Sequence, residues 1–304
     1  MKRLLIMLVA VSALVLGAVA PSAHAVKFGQ PDTENKYPWV GLMVAVDPAD
    51  PHAEPLWRCT GSLLSETLFL TAGHCVGDPG APVADQPVTV YIWFAEGAEI
   101  IQTDPVYLAN LARQAANPKV DINLCEGVSG YPCGGYDAVG TPEAHPNWNG
   151  ALTIPQTSDV GVVNITSWTG FMPEPYGVDK VAPVGYLDNL ATPRGKGNVE
   201  FTVVGYGLQS VRPVESAVKQ RMVGTVSLVN LRSALAGGWN LHYSNNPGQG
   251  HGGSGGTCFG DSGGPVLHNG YIVAVNSFVL NGNCQGAGFG YRVDTQYAHS
   301  FIFG

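Results

Sequence analysis

Two short segments of the chain carry the residue types of a nucleophilic catalytic site. The stretch from Gly260 to Pro265 reads GDSGGP and places Ser262 in a glycine-rich turn, and the stretch from Leu70 to Cys75 reads LTAGHC and contains His74. A serine hydroxyl becomes a useful nucleophile at neutral pH when an imidazole accepts its proton, and that imidazole needs a carboxylate to hold its tautomer and stabilise its charge. The two motifs therefore predict a serine nucleophile, Ser262, and its base, His74.

Asp159 is the candidate for the carboxylate. It lies between His74 and Ser262 along the chain and opens an apolar run from Val160 to Val163. Many edge strands also begin with a polar residue ahead of apolar ones, so this signal is less specific than the other two. Asp137 and Asp121 remain alternatives for the same role.

The order His, Asp, Ser, together with these motifs, resembles the chymotrypsin-like (trypsin-type) serine peptidases, over essentially the whole chain after residue 25. The resemblance implies an endopeptidase that acts through an acyl-enzyme on protein or peptide substrates, without a cofactor. It implies an oxyanion hole formed by the backbone N–H groups of Gly260 and Ser262, because glycine lets the chain turn tightly there. It also implies that Asp261 turns inward and pairs with the free amine of the mature N-terminus.

The first residues have the features of a secretion signal. A basic start precedes an apolar run from Leu4 to Ala20, and Ala23-His24-Ala25 has the small-x-small pattern of a cleavage site. The apolar run is short for a membrane span, so we expect residues 1–25 to be removed and the protein to be secreted and extracellular. Cleavage after Ala25 would expose the amine of Val26, where the resemblance implies the partner of Asp261.

The composition fits a secreted globular enzyme. The 304 residues include 15 Lys and Arg against 23 Asp and Glu, which gives a formal net charge of −8 at pH 7. Loss of residues 1–25 would remove Lys2 and Arg3 and make the chain more acidic. An acidic chain with few basic clusters has no electrostatic footprint for nucleic acid or for anionic membranes, so both partners are excluded. We also expect the protein to be a monomer.

Six cysteines in a secreted chain predict three disulfides, for which fifteen pairings exist. The family resemblance implies the pairs Cys59–Cys75 and Cys258–Cys284, which leaves Cys125 with Cys133 in a small local loop. A metal site is excluded, because no close pairs of Cys and His repeat and the motif His-Glu-x-x-His is absent from the sequence.

Short apolar runs separated by Gly, Pro and Asn indicate an all-β protein. The resemblance implies two antiparallel six-stranded β-barrels with the active-site cleft between them. Residues 26–172 would form the N-terminal barrel, with the histidine and aspartate, and residues 173–304 the C-terminal barrel, with the serine. The proline-rich stretch from Met172 to Pro183 is the expected crossover, and Asp294 is the expected cap of a short C-terminal helix. The predicted strands are Val40–Val46, Leu68–Thr71, Val88–Phe94, Val160–Ile165, Val199–Tyr206, Val223–Leu231, Tyr271–Val275 and Gly288–Val293.

Two segments are unusual for the family. The interval between His74 and Asp159 is long and contains residues 121–150, which we interpret as an insertion that either borders the cleft or packs on the barrel. The stretch from Ser244 to Gly256 is rich in Gly and Asn just ahead of the substrate pocket, and we expect it to be mobile.

The family resemblance also suggests which residues line the substrate pocket. Gly256 and Thr257 precede Ser262, and Gly256 falls at the pocket floor, where enzymes that cut after Lys or Arg carry aspartate. A basic substrate side chain would be buried there without a counter-charge. The segment Ser277-Phe278-Val279 stands where the family has Ser-Trp-Gly, with Val279 narrowing the pocket and Gly288 keeping the facing wall open.

We therefore predict cleavage after a neutral or apolar residue of moderate size. Two other functions remain open: a catalytically silent family member that acts as a binding protein, and a secreted serine esterase.

Overall fold

The structure is a computed structural model that describes residues 26–49, 55–77, 88–97, 104–120, 122–131, 133–190, 199–211, 215–216, 219–245 and 255–304. The predicted signal peptide 1–25, the alternative carboxylate Asp121 and residues 246–254 of the glycine-rich stretch lie outside these ranges. The expectation that this stretch is mobile therefore falls mainly outside the described residues.

The first half of the chain forms a closed antiparallel barrel. Its strands are β2 (Val40–Val46), β3 (Trp57–Ser65), β4 (Leu68–Thr71), β5 (Thr89–Trp93), β6 (Ala138–Ala144) and β7 (Gly161–Trp168), and a short strand β1 that precedes them belongs to the second barrel. Their spatial order is β2-β3-β4-β7-β6-β5. Alternating and continuous apolar runs supply the core, because inward-facing side chains from all six strands meet there.

The second half forms a second barrel from strands β8 (Glu200–Gly205), β9 (Met222–Asn230), β10 (Asn240–Ser244), β11 (Pro265–His268), β12 (Tyr271–Val279) and β13 (Ala287–Arg292). Their spatial order is β9-β10-β13-β12-β11-β8, and pairing of β8 with β9 closes the barrel. The short strand β1 (Gln30–Pro31) pairs with β9 through Gln30 and Val223, so the start of the described chain packs on this barrel. The predicted all-β fold of two six-stranded barrels is confirmed.

Two α-helices accompany the barrels within the described ranges. Helix α1 (Pro105–Ala116) was not predicted, although its start has a clear signal: the Asp104 side chain accepts from the N–H groups of Val106 and Tyr107, and a proline opens the helix. Helix α2 (Gln296–Ile302) is the predicted C-terminal helix. Within the described ranges, no helix has both the length and the apolar character needed to cross a membrane.

The cap of helix α2 differs from the prediction. Thr295, not Asp294, caps the helix, because its side chain accepts from the N–H of Ala298. Asp294 is fully buried and paired instead with the Arg292 guanidinium at 2.8 Å, and it also accepts from the N–H of Leu187. A buried carboxylate beside a guanidinium is better stabilised by that charge than by a helix end.

A buried ion pair joins the N-terminal segment to both barrels. Arg221, just before β9, is fully buried, and its Nε lies 2.8 Å from Asp32 Oδ2. Its Nη1 donates to the carbonyl of Val40 at 3.3 Å and to that of Phe94 at 3.0 Å, both in the first barrel. The guanidinium is tolerated in the interior because each of these acceptors offsets part of its lost hydration.

The three predicted disulfides are confirmed. Cys59–Cys75 ties β3 to the turn that contains His74, and Cys125–Cys133 closes a local loop ahead of β6. Cys258–Cys284 ties the segment before Ser262 to the loop before β13. Two of the three cross-links therefore adjoin the residues predicted to be catalytic.

Candidate active site

His74 and Asp159 meet because the strands beside them are neighbours. Strand β4 ends at Thr71, just before His74, and β7 begins at Gly161, just after Asp159, and these two end residues are paired in the sheet. His74 Nδ1 lies 2.9 Å from Asp159 Oδ2 and 3.1 Å from Oδ1. The backbone N–H of His74 also donates to Oδ1 at 2.8 Å. The structure thus brings the predicted base and acid together.

The pair is built to keep the carboxylate charged and the imidazole basic. Asp159 is fully buried, whereas 19% of the His74 side chain is exposed. Burial alone would lower the pKa of His74, but the charge and hydrogen bond of Asp159 outweigh it and raise that pKa above its usual value. Burial alone would raise the pKa of Asp159, but the charge and hydrogen bonds of His74, with a hydrogen bond from Ser277, hold it below its usual range.

The contact of Ser277 with Asp159 was not predicted. Ser277 Oγ on β12 donates a short hydrogen bond to Asp159 Oδ2, the same oxygen that faces His74 Nδ1. Ser277 was predicted as part of the pocket wall, and it does line the cleft. The sequence offers no signal for the second contact, because the two residues are 118 positions apart and in different barrels.

Asp137, the alternative carboxylate within the described residues, has another task. Its Oδ2 accepts from the N–H of Phe94 at 2.7 Å and its Oδ1 from the N–H of Phe171 at 3.0 Å. Burial raises the pKa of this carboxyl group. Asp137 therefore holds backbone of the first barrel, and Asp159 is the carboxylate placed beside His74.

A threonine of the first barrel fixes the turn that carries Ser262. Thr60 on β3 is fully buried, and its N–H donates to the Ser262 carbonyl at 2.8 Å. Its Oγ1 donates to the Gly260 carbonyl at 2.8 Å. Gly263 has a φ of +78°, and a Cβ there would lie 2.0 Å from Thr71 Oγ1 and 2.4 Å from the Thr60 carbonyl, so only glycine fits the turn.

The orientation of the Gly260 peptide is also fixed. The Phe259 carbonyl accepts from the N–H of Leu208 at 2.9 Å. Because a trans peptide is planar, the N–H of Gly260 points away from Leu208. Gly260 has a φ of +95°, which a residue with a side chain rarely adopts. The orientation of the Gly260 peptide is thus fixed by the fold, and Ser262, two residues on, lines the same cleft as His74. The role of Gly260 as an oxyanion donor stays a prediction.

Asp261 is buried, as the resemblance implied. It is fully buried, and its carboxylate accepts from the N–H of Gly207 at 2.8 Å and from the N–H of Cys258 at 2.9 Å. Burial raises the pKa of this carboxyl group to about 7, although both backbone donors act to lower it. The raised pKa indicates a carboxylate that a nearby positive charge would stabilise.

Val26 lies inside the second barrel. Its side chain is fully buried and lies against Gly224 and Gly255, where an added Cβ would meet Val26 Cγ1 at 2.8 Å and 3.4 Å respectively. Lys27 forms an isolated antiparallel bridge with Gly256. The segment that begins at Val26 therefore docks next to the residues that lead to the candidate nucleophile.

A cleft of about 410 Å³ adjoins the candidate catalytic residues. Four of the six predicted pocket residues line it: Thr257, Ser277, Phe278 and Val279. The full set of lining residues is His74, Trp148, Gly150, Leu152, Thr257, Cys258, Phe259, Ser262, Asn276, Ser277, Phe278 and Val279.

Gly256 and Gly288 are not among the lining residues, because two buried side chains occupy the space beside them. A Cβ on Gly256 would lie 2.7 Å from Asn245 Oδ1, and a Cβ on Gly288 would lie 2.3 Å from Tyr243 Cε2. Sequence reasoning did not single out Asn245 or Tyr243, which come from the end of β10. They shorten the pocket that the two glycines suggested.

Asn245 and Tyr243 belong to a buried hydrogen-bond network behind the cleft. Asn245 Oδ1 accepts from the N–H of Thr257 at 2.6 Å, and its Nδ2 donates to the carbonyls of Thr257 at 2.7 Å and Cys284 at 3.2 Å. The Tyr243 hydroxyl lies 3.0 Å from Thr257 Oγ1 and donates to Asn276 Oδ1 at 2.9 Å. Thr257 Oγ1 makes a longer contact of 3.4 Å with Asn245 Oδ1. Thr257 and Asn276 are the two members of this network that line the cleft.

Residues 121–150 are not a single insertion, because Ala138–Ala144 within them form strand β6 of the first barrel. The segments on either side of β6 do the two things that the sequence left open. Tyr131, before β6, is buried against Trp93 of β5, with ring centroids 5.6 Å apart, so this segment packs on the barrel. Trp148, after β6, lines the cleft, with its ring centroid 6.4 Å from that of His74. His145 anchors this second segment by stacking on Tyr297 of helix α2 at 4.2 Å.

Potential metal ligands cluster at one place in the described ranges. The ligand atoms of Cys59, His74 and Cys75 lie within 4.8 Å of one another. The two sulfurs form a disulfide. A disulfide is not a thiolate ligand, so this group does not amount to a metal site.

Comparison with known proteins adds the family. A model of the family described as Trypsin matches residues 138–302. Over 47 residues the chain is 43% identical to the venom serine protease Bi-VSP of Bombus ignitus, a stretch that makes up 16% of this chain and 13% of that protein. The alignment therefore spans only a small part of the curated relative.

Solved structures with similar folds include an HL collagenase, with a TM-score of 0.55 and 15% identity over 88% of this chain and 93% of that one. The scabies mite inactivated protease paralogue S-D1 has a TM-score of 0.56 and 14% identity over 90% and 95% of the two chains. Human heparin binding protein has a TM-score of 0.53 and 16% identity over 91% and 95%. At such identities these similarities establish the fold alone. Since the Trypsin match covers more than half of the chain, this protein belongs to the trypsin family of chymotrypsin-like serine proteases.

Proposed function

We propose that this protein is a secreted serine endopeptidase in which Ser262 attacks the carbonyl carbon of a peptide bond. The observation that supports it best is the His74–Asp159 pair in the cleft that Ser262 also lines. A buried carboxylate on Nδ1 leaves the Nε2 nitrogen of His74 to accept the proton of the Ser262 hydroxyl.

The chemistry proceeds in two halves. In the first, Ser262 Oγ forms a bond to the substrate carbonyl carbon as its proton passes to His74. The carbon–nitrogen bond then breaks, and the leaving amine takes that proton from His74. In the second half, His74 accepts a proton from water as the water oxygen bonds to the acyl carbon, and the ester bond to Ser262 then breaks as His74 returns the proton to Ser262 Oγ. The N–H groups of Gly260 and Ser262 would stabilise the negative oxygen in both halves.

Activation would use the N-terminus. Removal of residues 1–25 would give Val26 a free ammonium, and the carboxylate of Asp261 is the group that it would neutralise. Two observations support the pairing: Val26 is already buried in the second barrel, and burial raises the pKa of Asp261 to about 7. The paired charges would stabilise the loop that presents Gly260 and Ser262.

Labelling with a fluorophosphonate tests the nucleophile directly. We expect covalent modification of Ser262 in the wild-type protein and none after His74→Ala, because the hydroxyl then lacks its base. A chain without labelling would be a catalytically silent family member acting as a binding protein, and the scabies mite paralogue is an example of an inactivated protease with a similar fold. A labelled protein that hydrolyses esters but not peptides would be an esterase.

A further inference from the structure

Two residues that line the cleft each have a buried side-chain donor with no partner among the described residues. The donors are Asn276 Nδ2 and Trp148 Nε1. Asn276 is 2% exposed and Trp148 is 8% exposed. An unpaired buried donor costs the free energy of its lost hydration, so two in one binding cleft indicate groups that a ligand satisfies.

The network behind Asn276 defines what that ligand must offer. When Thr257 Oγ1 donates to the Tyr243 hydroxyl, and that hydroxyl donates to Asn276 Oδ1, two groups stay open: the Nδ2 donor of Asn276 and an acceptor lone pair of Thr257. In this arrangement Asn276 and Thr257, which both line the cleft, offer one donor and one acceptor.

This donor–acceptor pair lies close to the candidate nucleophile. The N–H of Gly263 donates to the Asn276 carbonyl at 2.7 Å, and the N–H of Asn276 donates to the Gly264 carbonyl at 2.9 Å. Asn276 is therefore bonded to the turn that follows Ser262, and Thr257 belongs to the segment that leads into it. A substrate side chain next to the scissile carbonyl is the one within reach.

We propose that the cleft selects a carboxamide side chain, glutamine or asparagine, on the substrate residue before the scissile bond. The inference rests on the proposed endopeptidase function and narrows its predicted preference for neutral residues. A carboxamide offers one acceptor and one donor on the same planar group, so its oxygen takes the Asn276 proton while its nitrogen donates to Thr257.

Other side chains match this pair less well. A carboxylate presents two acceptors and a charge, and none of the lining residues is Lys or Arg, so its lost hydration would go without a counter-ion. A basic side chain likewise meets neither Asp nor Glu among the lining residues. An apolar side chain of the same length would leave both Asn276 Nδ2 and Thr257 Oγ1 without a ligand partner.

Trp148 acts on a different part of the substrate. Its ring lies beside that of His74, whereas Asn276 is bonded to the turn that follows Ser262. Its indole N–H suits an acceptor elsewhere along the substrate, such as a backbone carbonyl. Its contribution should therefore be the same whichever residue precedes the scissile bond.

The test uses peptides that differ only at that residue: Gln, Glu, Met and Lys. We expect kcat/KM for Gln to exceed that for Met and Glu by on the order of 10- to 100-fold. Asn276→Leu and Thr257→Val should each reduce the Gln-to-Met ratio by about tenfold or more, whereas Trp148→Phe should lower kcat/KM for all four peptides by a similar factor. Faster cleavage after Met, Glu or Lys in the wild type would overturn the proposal, as would an unchanged ratio in Asn276→Leu and Thr257→Val.

Ser62→Ala is the matched control. Ser62 Oγ is also a buried polar atom without a partner among the described residues, but it lies on β3 and outside the cleft lining. Its loss should leave the Gln-to-Met ratio unchanged. Fluorophosphonate labelling of each variant shows whether it has folded.

A binding measurement separates this proposal from the proposed catalysis. Calorimetry with Ser262→Ala should show tighter binding of an acetylated peptide that ends in Gln than of one that ends in Met. If the wild type fails to label with fluorophosphonate but this difference persists, the enzyme hypothesis fails and the specificity holds. If labelling succeeds and the difference is absent or reversed, the specificity proposal fails alone.

Discussion

The proposed catalytic residues and the proposed substrate-recognition residues of the cleft differ in whether their polar side-chain atoms have hydrogen-bond partners. Both oxygens of Asp159 are occupied, Oδ1 by the N–H of His74 and Oδ2 by His74 Nδ1 and Ser277. Asn276 and Trp148 also line the cleft, but their side-chain donors have no partner among the described residues. Groups that must keep a fixed geometry through the reaction are saturated by the fold, and groups that must recognise a substrate are left for the substrate to complete.

The largest expected effect comes from replacing the proposed catalytic residues. Replacing Ser262 or His74 with alanine should lower kcat by about 10⁴- to 10⁶-fold, and Asp159→Asn by about 10⁴-fold because the imidazole would be held in the wrong tautomer. Steady-state peptide hydrolysis measures these losses. Asp137→Asn is the control carboxylate, and an equally severe loss there would show that the acid has been misassigned.

A large effect is also expected at Asp261, which separates activation from chemistry. Extending the chain before Val26, or making Asp261→Asn, should cut peptide hydrolysis by 100-fold or more, on the order of the cost of leaving one member of a buried charge pair unmatched. The His74–Asp159 pair stays intact in both. Full activity in a form that retains residues before Val26 would contradict this activation mechanism.

The same pair gives a pH test of stability. Burial raises the pKa of Asp261 from an ordinary 3.8 to about 7. Without an ammonium partner, the folded chain therefore binds this proton more tightly than the unfolded chain, so its stability falls as pH rises from about 4 to 7. Urea unfolding across this range should show that loss in an N-terminally extended form and a smaller loss in the form that begins at Val26.

Arg221 is expected to affect stability without touching either side of the cleft. Arg221→Met would leave Asp32 as a buried unpaired carboxylate, which should lower the free energy of unfolding by about 3–5 kcal/mol. Lys36→Ala removes an exposed ion pair with Glu34 and should cost less than about 1 kcal/mol. Equal losses in the two variants, measured by urea unfolding, would refute the importance of the buried cluster.

The smallest expected effect on kcat is at Ser277, which donates to Asp159 and also lines the cleft. Ser277→Ala removes one donor to Asp159 and should reduce kcat by about tenfold, the effect of a single hydrogen bond to a charged group.

Because the pKa of His74 is raised above 6.5, activity should rise with pH through a midpoint above 6.5 as the imidazole becomes neutral. A midpoint at or below 6.5 in the wild type would contradict the described pair.

Much of the site could be predicted because its motifs are local. The turns around Ser262 and His74 are dictated by adjacent glycines, and the order of the motifs, through the family, pointed to the two barrels and to the disulfides. What the sequence could not supply were contacts between distant segments. Thr60, Ser277 and Tyr243 each act on a residue far away in the chain, and no pattern in their own surroundings reveals it.

The pocket and residues 121–150 illustrate the same limit. Gly256 was expected at the pocket floor, but the side chain of Asn245 fills the space beside it, which depends on how β10 meets the loop before Ser262. Helix α1 was not predicted, although Asp104 and the proline after it are an ordinary helix start. Periodicity alone did not separate the two segments on either side of β6, of which one packs on β5 and the other reaches the cleft.

Thr60 gives the molecule an assembly requirement. It belongs to the first barrel, yet it holds the carbonyl groups of Gly260 and Ser262 in the second. A newly made chain whose second barrel has folded before docking would carry its serine on a loop that lacks these two bonds, and its histidine would still be elsewhere. The proposed hydrolytic activity would therefore arise only after the two barrels have joined, and incompletely folded chains would not cleave one another.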